Sequence, residues 1–337
     1  MTPHGQFALF GADTPETSSE TAKHPATTDR AGPPPAQNLT PIARRIIDAS
    51  ASIQSDEADE LAFSHTVLCQ TSLPYRQHTE RHWQRTNGRI TLEVAAGRAY
   101  DPRSEQFENV ALPYGARARL VLMHLNARAL KTGKAEIEVE DSLTAFVRNV
   151  IGRDARGHDI TAIRNQLTML AASTIRLGMA LDGKGYTVQT PVIMAFDLWA
   201  PDHAAQKILW PSSVRLGGEY FESLVTHAVP LDQRAIAALG HSAVALDIYA
   251  WLAQRLHRIP AGRGQFIPWT ALHEQFGQGY TRLRAFRATF LKQLHAVHTQ
   301  YPTAQIEVEE TQGIRLRHSP PPVPPKLITG PGSTFPG

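Results

Sequence analysis

The sequence predicts an α+β fold with two helical units in tandem, and three observations carry that expectation. Apolar residues recur at helical spacing in several windows, short alternating runs with glycine turns lie between them, and one order of elements occurs twice along the chain. The chain has 337 residues, of which 42% are hydrophobic and 19% charged, enough for about two domains. A single cysteine, Cys69, excludes an internal disulfide and a Cys-pair zinc ribbon, and so favours a reducing compartment. The first ten residues lack a basic stretch followed by an apolar one, and no window of about 18 apolar residues occurs. A soluble cytoplasmic protein without a membrane partner is expected.

Residues 1–40 read as a disordered acidic leader, rich in Thr, Ser, Pro and Gly, with too few large apolar groups to offset the entropy of ordering. Residues 320–337 read as a Pro-rich tail, because Pro320-Pro321-Pro322-Val323-Pro324-Pro325 can continue neither a helix nor an interior strand. The formal charge of +3 divides unevenly: residues 1–64 hold four Lys/Arg and nine Asp/Glu, a net of −5, which leaves +8 for the rest. A basic body points toward a polyanionic partner, the alternative being charges scattered for solubility.

The first series of elements starts at Pro113. A helix to Lys131 carries Leu120, Val121, Leu122, Leu125 and Ala129 before Gly133 breaks it, and Ala135 to Val139 alternates as a strand. Asp141 or Ser142 caps a second helix with Leu143, Phe146, Val147 and Val150. Asp159 caps a third, whose Ile160, Ile163, Leu167, Leu170 and Thr174 share a face. Strands Ile175 to Leu181 and Tyr186 to Phe196 then flank Asp182-Gly183-Lys184-Gly185, a hairpin turn.

The second series repeats that order without obvious identity. A helix over Asp232 to Arg258, with a candidate break at Gly240, leads to a strand at Gln265 to Ile267 and a short helix from Trp269 to Phe276. A long helix from Tyr280 to Thr299 follows, and Gln305 to Glu309 pairs with Ile314 to Arg317 across a turn at Gly313. Helix, strand, helix, helix, hairpin is the order of a winged helix, a relative of the helix-turn-helix. The expected organisation is therefore an N-terminal winged-helix domain with a preceding helix and strands over 41–225, and a C-terminal one over 226–319.

In a winged helix the third helix enters the major groove, so its outer face should be polar or basic. On Tyr280 to Val297 a period of about 100° per residue puts Leu283, Phe286, Phe290, Leu294 and Val297 inward. Thr281, Arg284, Ala288, Lys292 and His295 fall outward, with Arg282 and Arg287 at the boundary. No acidic residue lies between Gly277 and Gln305. In the first unit Thr161, Asn165, Thr168, Ala172 and Arg176 face outward, with Arg164 to one side, and suit base edges and phosphates. A protein-binding or plain solvent face is the alternative there. Lys184, Arg315 and Arg317 occupy hairpin positions where wings meet the DNA backbone, and where ordinary surface cations also occur.

Catalytic chemistry is missing from the motifs. No G-x-x-x-x-G-K-[ST], H-E-x-x-H, H-x-H or G-x-S-x-G run occurs, and Cys69 sits in an apolar run that suits a buried, inert thiol. No enzyme activity, metal or other cofactor is expected.

Several blocks in order resemble the RepA-type plasmid replication initiators of bacteria. They are Leu68-Cys69-Gln70-Thr71-Ser72-Leu73-Pro74-Tyr75-Arg76, Leu112-Pro113-Tyr114-Gly115 with Arg119-Leu120, and Asp141-Ser142-Leu143-Thr144-Ala145-Phe146. Leu246-Asp247-Ile248-Tyr249-Ala250-Trp251-Leu252 with Arg255-Leu256, Ile267-Pro268-Trp269 with Gln275-Phe276-Gly277, and Phe286 through Phe290-Leu291 to Tyr301-Pro302 complete the series. The resemblance implies tandem winged helices without a catalytic site, and binding to repeated double-stranded sites in a plasmid origin. It further implies opening of an adjacent A·T-rich segment, recruitment of the host replicative helicase and host initiator, and repression of the protein's own gene as a homodimer. A purely regulatory repressor built on the same modules is the competing reading. A catalytic domain delivered by the winged helices is a third, for which the chain has little room.

Overall fold

The computed structural model describes residues 39–101, 104–138, 142–181, 184–195 and 213–324. Residues 1–38 of the expected leader, the strand end at Val139, the cap candidate Asp141, turn residues Asp182 and Gly183, the end of the second strand at Phe196, and the tail beyond Pro324 lie outside the described residues. The described residues form one compact unit of mixed α and β structure.

The chain enters through α1 (Pro41–Ser55), whose Thr40 hydroxyl accepts from the Ala43 amide at 3.2 Å with proline in the first turn. Strand β1 (Leu61–His65) runs into the short α2 (Thr66–Gln70). Then come β2 (His82–Asn87), β3 (Ile90–Ala95) and a hairpin of β4 (Arg98–Asp101) with β5 (Gln106–Asn109).

The first series follows as α3 (Gly115–Thr132), β6 (Glu136–Glu138), α4 (Leu143–Ile151), α5 (Gly157–Ala172), β7 (Thr174–Leu181) and β8 (Lys184–Pro191). Gly133 ends α3 at φ 67°, a left-handed conformation that costs glycine least, and Ser142 caps α4. Asp159 does not stand at the cap of α5. The helix starts two residues earlier, and the Asp159 carboxylate reaches back to accept from the Arg156 amide at 3.2 Å. The hairpin partners also differ between the two series. Strand β7 pairs with β3, giving the order β2-β3-β7-β8, while β6 pairs with β10 (Ser213–Leu216), which in turn pairs with β9 (Ile193–Ala195).

Helix α6 (Gly218–His227) leads into β11 (Ala228–Asp232), antiparallel to β1. The long helix read from Asp232 is divided at Gly240 into α7 (Gln233–Leu239), capped by Asp232, and α8 (Ala243–Arg255), capped by Ser242. One 3-10 turn, Leu256–Arg258, ends it. The second series closes with β12 (Gln265–Pro268), α9 (Trp269–Phe276), α10 (Leu283–Gln300), β13 (Ile306–Glu309) and β14 (Gly313–Leu316). Here the strand between the helices joins the hairpin directly, in the order β12-β14-β13.

One continuous apolar core runs through both series, because α3 packs on α8 and α1 packs on both α7 and α10. Arg119 of α3 is buried within it and binds Asp247 of α8 through two hydrogen bonds, 2.6 and 2.8 Å. Its remaining donors go to the carbonyls of Leu73, Pro74 and Gly115, and its guanidinium lies 5.0 Å from the Tyr75 ring. Burial works against the Arg119 charge, and the Asp247 carboxylate beside it outweighs that and raises its pKa.

Candidate nucleic-acid interface

Helix α10 is held by its aromatic inner face. Phe286, Phe290, Leu294 and Val297 are buried, with Phe290 at 5.9 Å from Trp269 and 5.6 Å from Phe276, edge-on and tilted arrangements that favour ring contact. The turn from α9 admits only glycine at 277, where a Cβ would stand 2.4 Å from the His273 ring. His273 in turn bonds the Tyr280 carbonyl at 2.8 Å, fixing the angle at which α10 leaves.

The opposite face carries the expected cations. Arg284, Lys292 and His295 are exposed on α10, and none makes an ion pair among the described residues. Thr281 and Arg282 are exposed too, but the helix starts at Leu283, so they stand in the turn before it. Leu283, expected inward, is 38% exposed for the same reason: the first turn lies beyond the aromatic floor. Arg287 is half-buried, its guanidinium 5.1 Å from the Trp269 ring, which ties it to the boundary of the face.

The hairpin cations are not free wing contacts. Arg315 binds Glu309 at 2.8 Å and lies over Phe266, and Arg317 binds Glu307 at 2.6 Å. The β13–β14 register sets Glu307 across from Arg315, Arg317 reaches the same carboxylate from just beyond the strand, and its bonds hold that carboxyl below its usual range. The tip, Glu310 to Gln312, carries no cation.

The face expected on α5 is smaller than its helical spacing implies. Thr161 and Asn165 are exposed, while Arg164 and Thr168 are half-buried, and Thr168 spends its hydroxyl on the Arg164 carbonyl at 3.0 Å. Arg176 is not on the helix. Helix α5 ends at Ala172, and Arg176 stands on β7 opposite Glu93, to which its guanidinium is bonded. Lys184 is the first residue of β8, opposite Leu181, and its side chain lies outside the described residues.

Sequence reasoning passed over a cationic cluster at the start of α5. Asp159 is buried and is bonded by Arg153 at 2.9 Å and Arg117 at 3.2 Å, with the His158 ring at 3.3 Å. Burial works to raise its pKa, but hydrogen bonds from Arg153, the Arg156 amide and Arg117 outweigh that and hold it below the usual carboxylate range. The signal was present in Arg153-Asp154-Ala155-Arg156-Gly157-His158-Asp159, read only as a helix start.

Cys69 is buried and its thiol is pushed up to about 12 by that burial, so it is a poor nucleophile. Among the described residues no cluster of His, Cys, Asp and Glu suits a metal ion, and no helix is long and apolar enough to cross a membrane.

The blocks that carry the family resemblance converge at one place. Leu73, Pro74 and Tyr75, then Gly115 and Arg119, then Asp247 belong to three separate blocks, and all meet at the buried ion pair. Comparison with protein families agrees. Residues 112–271 match RepA_C, plasmid encoded RepA protein. The RepA resemblance is thus shown over α3 to the first half of α9, a span that holds both partners of the ion pair and stops short of α10. No curated protein matches the chain. Two crystal structures of domains 2 and 3 of RctB are similar at 10% and 11% identity, with TM-scores of 0.47 and 0.45. Each match covers 74% of this chain and 94% of that one, and a likeness of that size carries no argument.

Proposed function

We propose that this RepA-like chain is a non-catalytic plasmid replication initiator that binds repeated double-stranded DNA sites through two winged-helix units, over 41–225 and 226–319. The observation that carries the reading is the outer face of α10. Arg284, Lys292 and His295, with Thr281 and Arg282 before them, stand exposed and without carboxylate partners among the described residues, on a helix anchored by aromatic packing. Bidentate Arg contacts read guanine edges, and Lys contacts neutralise phosphates. In the first unit Thr161, Arg164, Asn165 and Thr168 are the corresponding groups, with fewer charges.

The RepA_C match supports the plasmid setting, and a bacterial cytoplasm belongs to the same proposal. Opening of an A·T-rich segment, recruitment of the host helicase and initiator, and repression of the protein's own gene as a dimer belong to the same proposal on family resemblance. Footprinting on DNA flanking the protein's own gene tests it. Protected direct repeats beside an A·T-rich stretch are expected; one protected inverted repeat at a promoter would make the protein a repressor instead.

A further inference from the structure

Between α10 and the start of α5 lie Arg45, Arg153 and His241, basic side chains that the two helix faces do not include. Their scaffold is set by packing. Helix α1 lies along α10, with the Ser50 hydroxyl donating to the Thr299 carbonyl at 2.9 Å and the Gln300 amide to the Ile46 carbonyl at 2.8 Å. It also packs against α7. Arg45 precedes Ile46 on that helix, is half-buried, and has its Nε enclosed without a hydrogen-bond partner. The turn between α4 and α5 is also pressed against α7, since a Cβ at Gly152 would stand 2.7 Å from that of Ala237. Arg153 is the next residue. His241, just beyond α7, bonds the Ala238 carbonyl at 3.1 Å.

These groups feel one another. After burial, the charges of Arg45 and Lys292 depress the His241 imidazole, and after burial the charge of Arg153 depresses the Arg45 guanidinium. Acidic side chains do little to offset them. Asp48 on α1 makes no ion pair among the described residues, and Asp154 is turned to Arg148 at 3.5 Å. Among the described residues Asp159 alone counters Arg153, and it is shared with Arg117, while Arg45 and Lys292 make no ion pair. Like charges gathered with so few counter-ions disfavour the fold, and a polyanion laid across them removes that cost while releasing its own condensed cations.

We propose that Arg45, Arg153 and Lys292, grouped around the uncharged His241, form a phosphate-binding strip that carries the backbone of a duplex from the α10 face toward the start of α5. The proposal rests on the DNA-binding reading above and adds Arg45 and Arg153 to it. Each strip cation that meets a phosphate contributes about 0.9 to the slope of log K against log salt.

The test uses the full chain and a mixed-sequence duplex of about 40 base pairs, with affinity measured across a salt series. Arg45→Gln should lose roughly one unit of slope, and the double variant Arg45→Gln/Arg153→Gln between about one and two, because Asp159 already answers part of the Arg153 charge. Arg45→Lys should retain the slope, as should Arg44→Gln, which removes an exposed cation one residue away. The single variant serves if the double variant melts early. A slope unchanged in Arg45→Gln, with the parent still binding DNA, overturns the strip and leaves the α10 reading standing. A parent chain with no salt-dependent binding to the duplex overturns the DNA-binding reading itself.

Discussion

At the scale of single residues, the Arg119–Asp247 pair shows what the family-bearing blocks do. Both side chains are buried, and the bonds of Arg119 tie its own helix to Leu73-Pro74 and to Asp247. Removing one partner leaves an uncompensated buried charge, so Arg119→Ala should lower unfolding free energy by about 3–5 kcal/mol. Arg119→Met with Asp247→Leu should cost clearly less, and chemical denaturation of the three proteins checks the ranking. His65 supplies a pH dependence. It is buried between Ser223 at 2.9 Å and the His227 ring, and burial, then the charge of His227, lowers its pKa to about 3. The unfolded chain therefore binds a proton near pH 6.5 that the folded chain refuses. Stability should hold above that value and fall by up to about 1.4 kcal/mol per pH unit toward pH 3. His65→Gln should flatten that slope in denaturation curves taken across the range. None of these roles was legible in sequence: Arg119 and Asp247 are 128 positions apart, and nothing local to either marks it as buried.

At the scale of elements, periodicity served well where a helix is packed on one side. The inner face of α10, the cap at Ser142 and the break at Gly240 were all readable, because each depends on neighbours within a turn or two. Arg176 was misplaced because extrapolating 100° per residue does not see the helix end at Ser173. Arg315 and Arg317 were misread because their partners depend on strand register, which sets Glu307 and Glu309 within reach. Two outcomes follow at this scale. Gly277→Ala drives a methyl into His273 and should destabilise by about 1–3 kcal/mol, visible as a lower melting temperature. Arg317→Ala, by contrast, should alter DNA affinity by less than twofold, because its charge is already answered by Glu307. A loss near tenfold in a binding titration would return the hairpin to the interface.

At the scale of the whole molecule, the two helical series share their core. The β1–β11 ladder and the contacts of α1 with both α7 and α10 cross any cut between residues 225 and 226. Circular dichroism and tryptophan fluorescence should therefore report a single coincident thermal transition, whereas two separated transitions would show the series to be energetically independent. The central claim is that α10 is the principal reader of DNA. Its most direct test is the affinity of Arg284→Ala for the footprinted site and for random duplex, measured beside the parent chain. The predicted result is a loss of about 1–3 kcal/mol at the specific site with little change on random DNA. Equal affinity of variant and parent on both duplexes, with the fold intact, would contradict the claim.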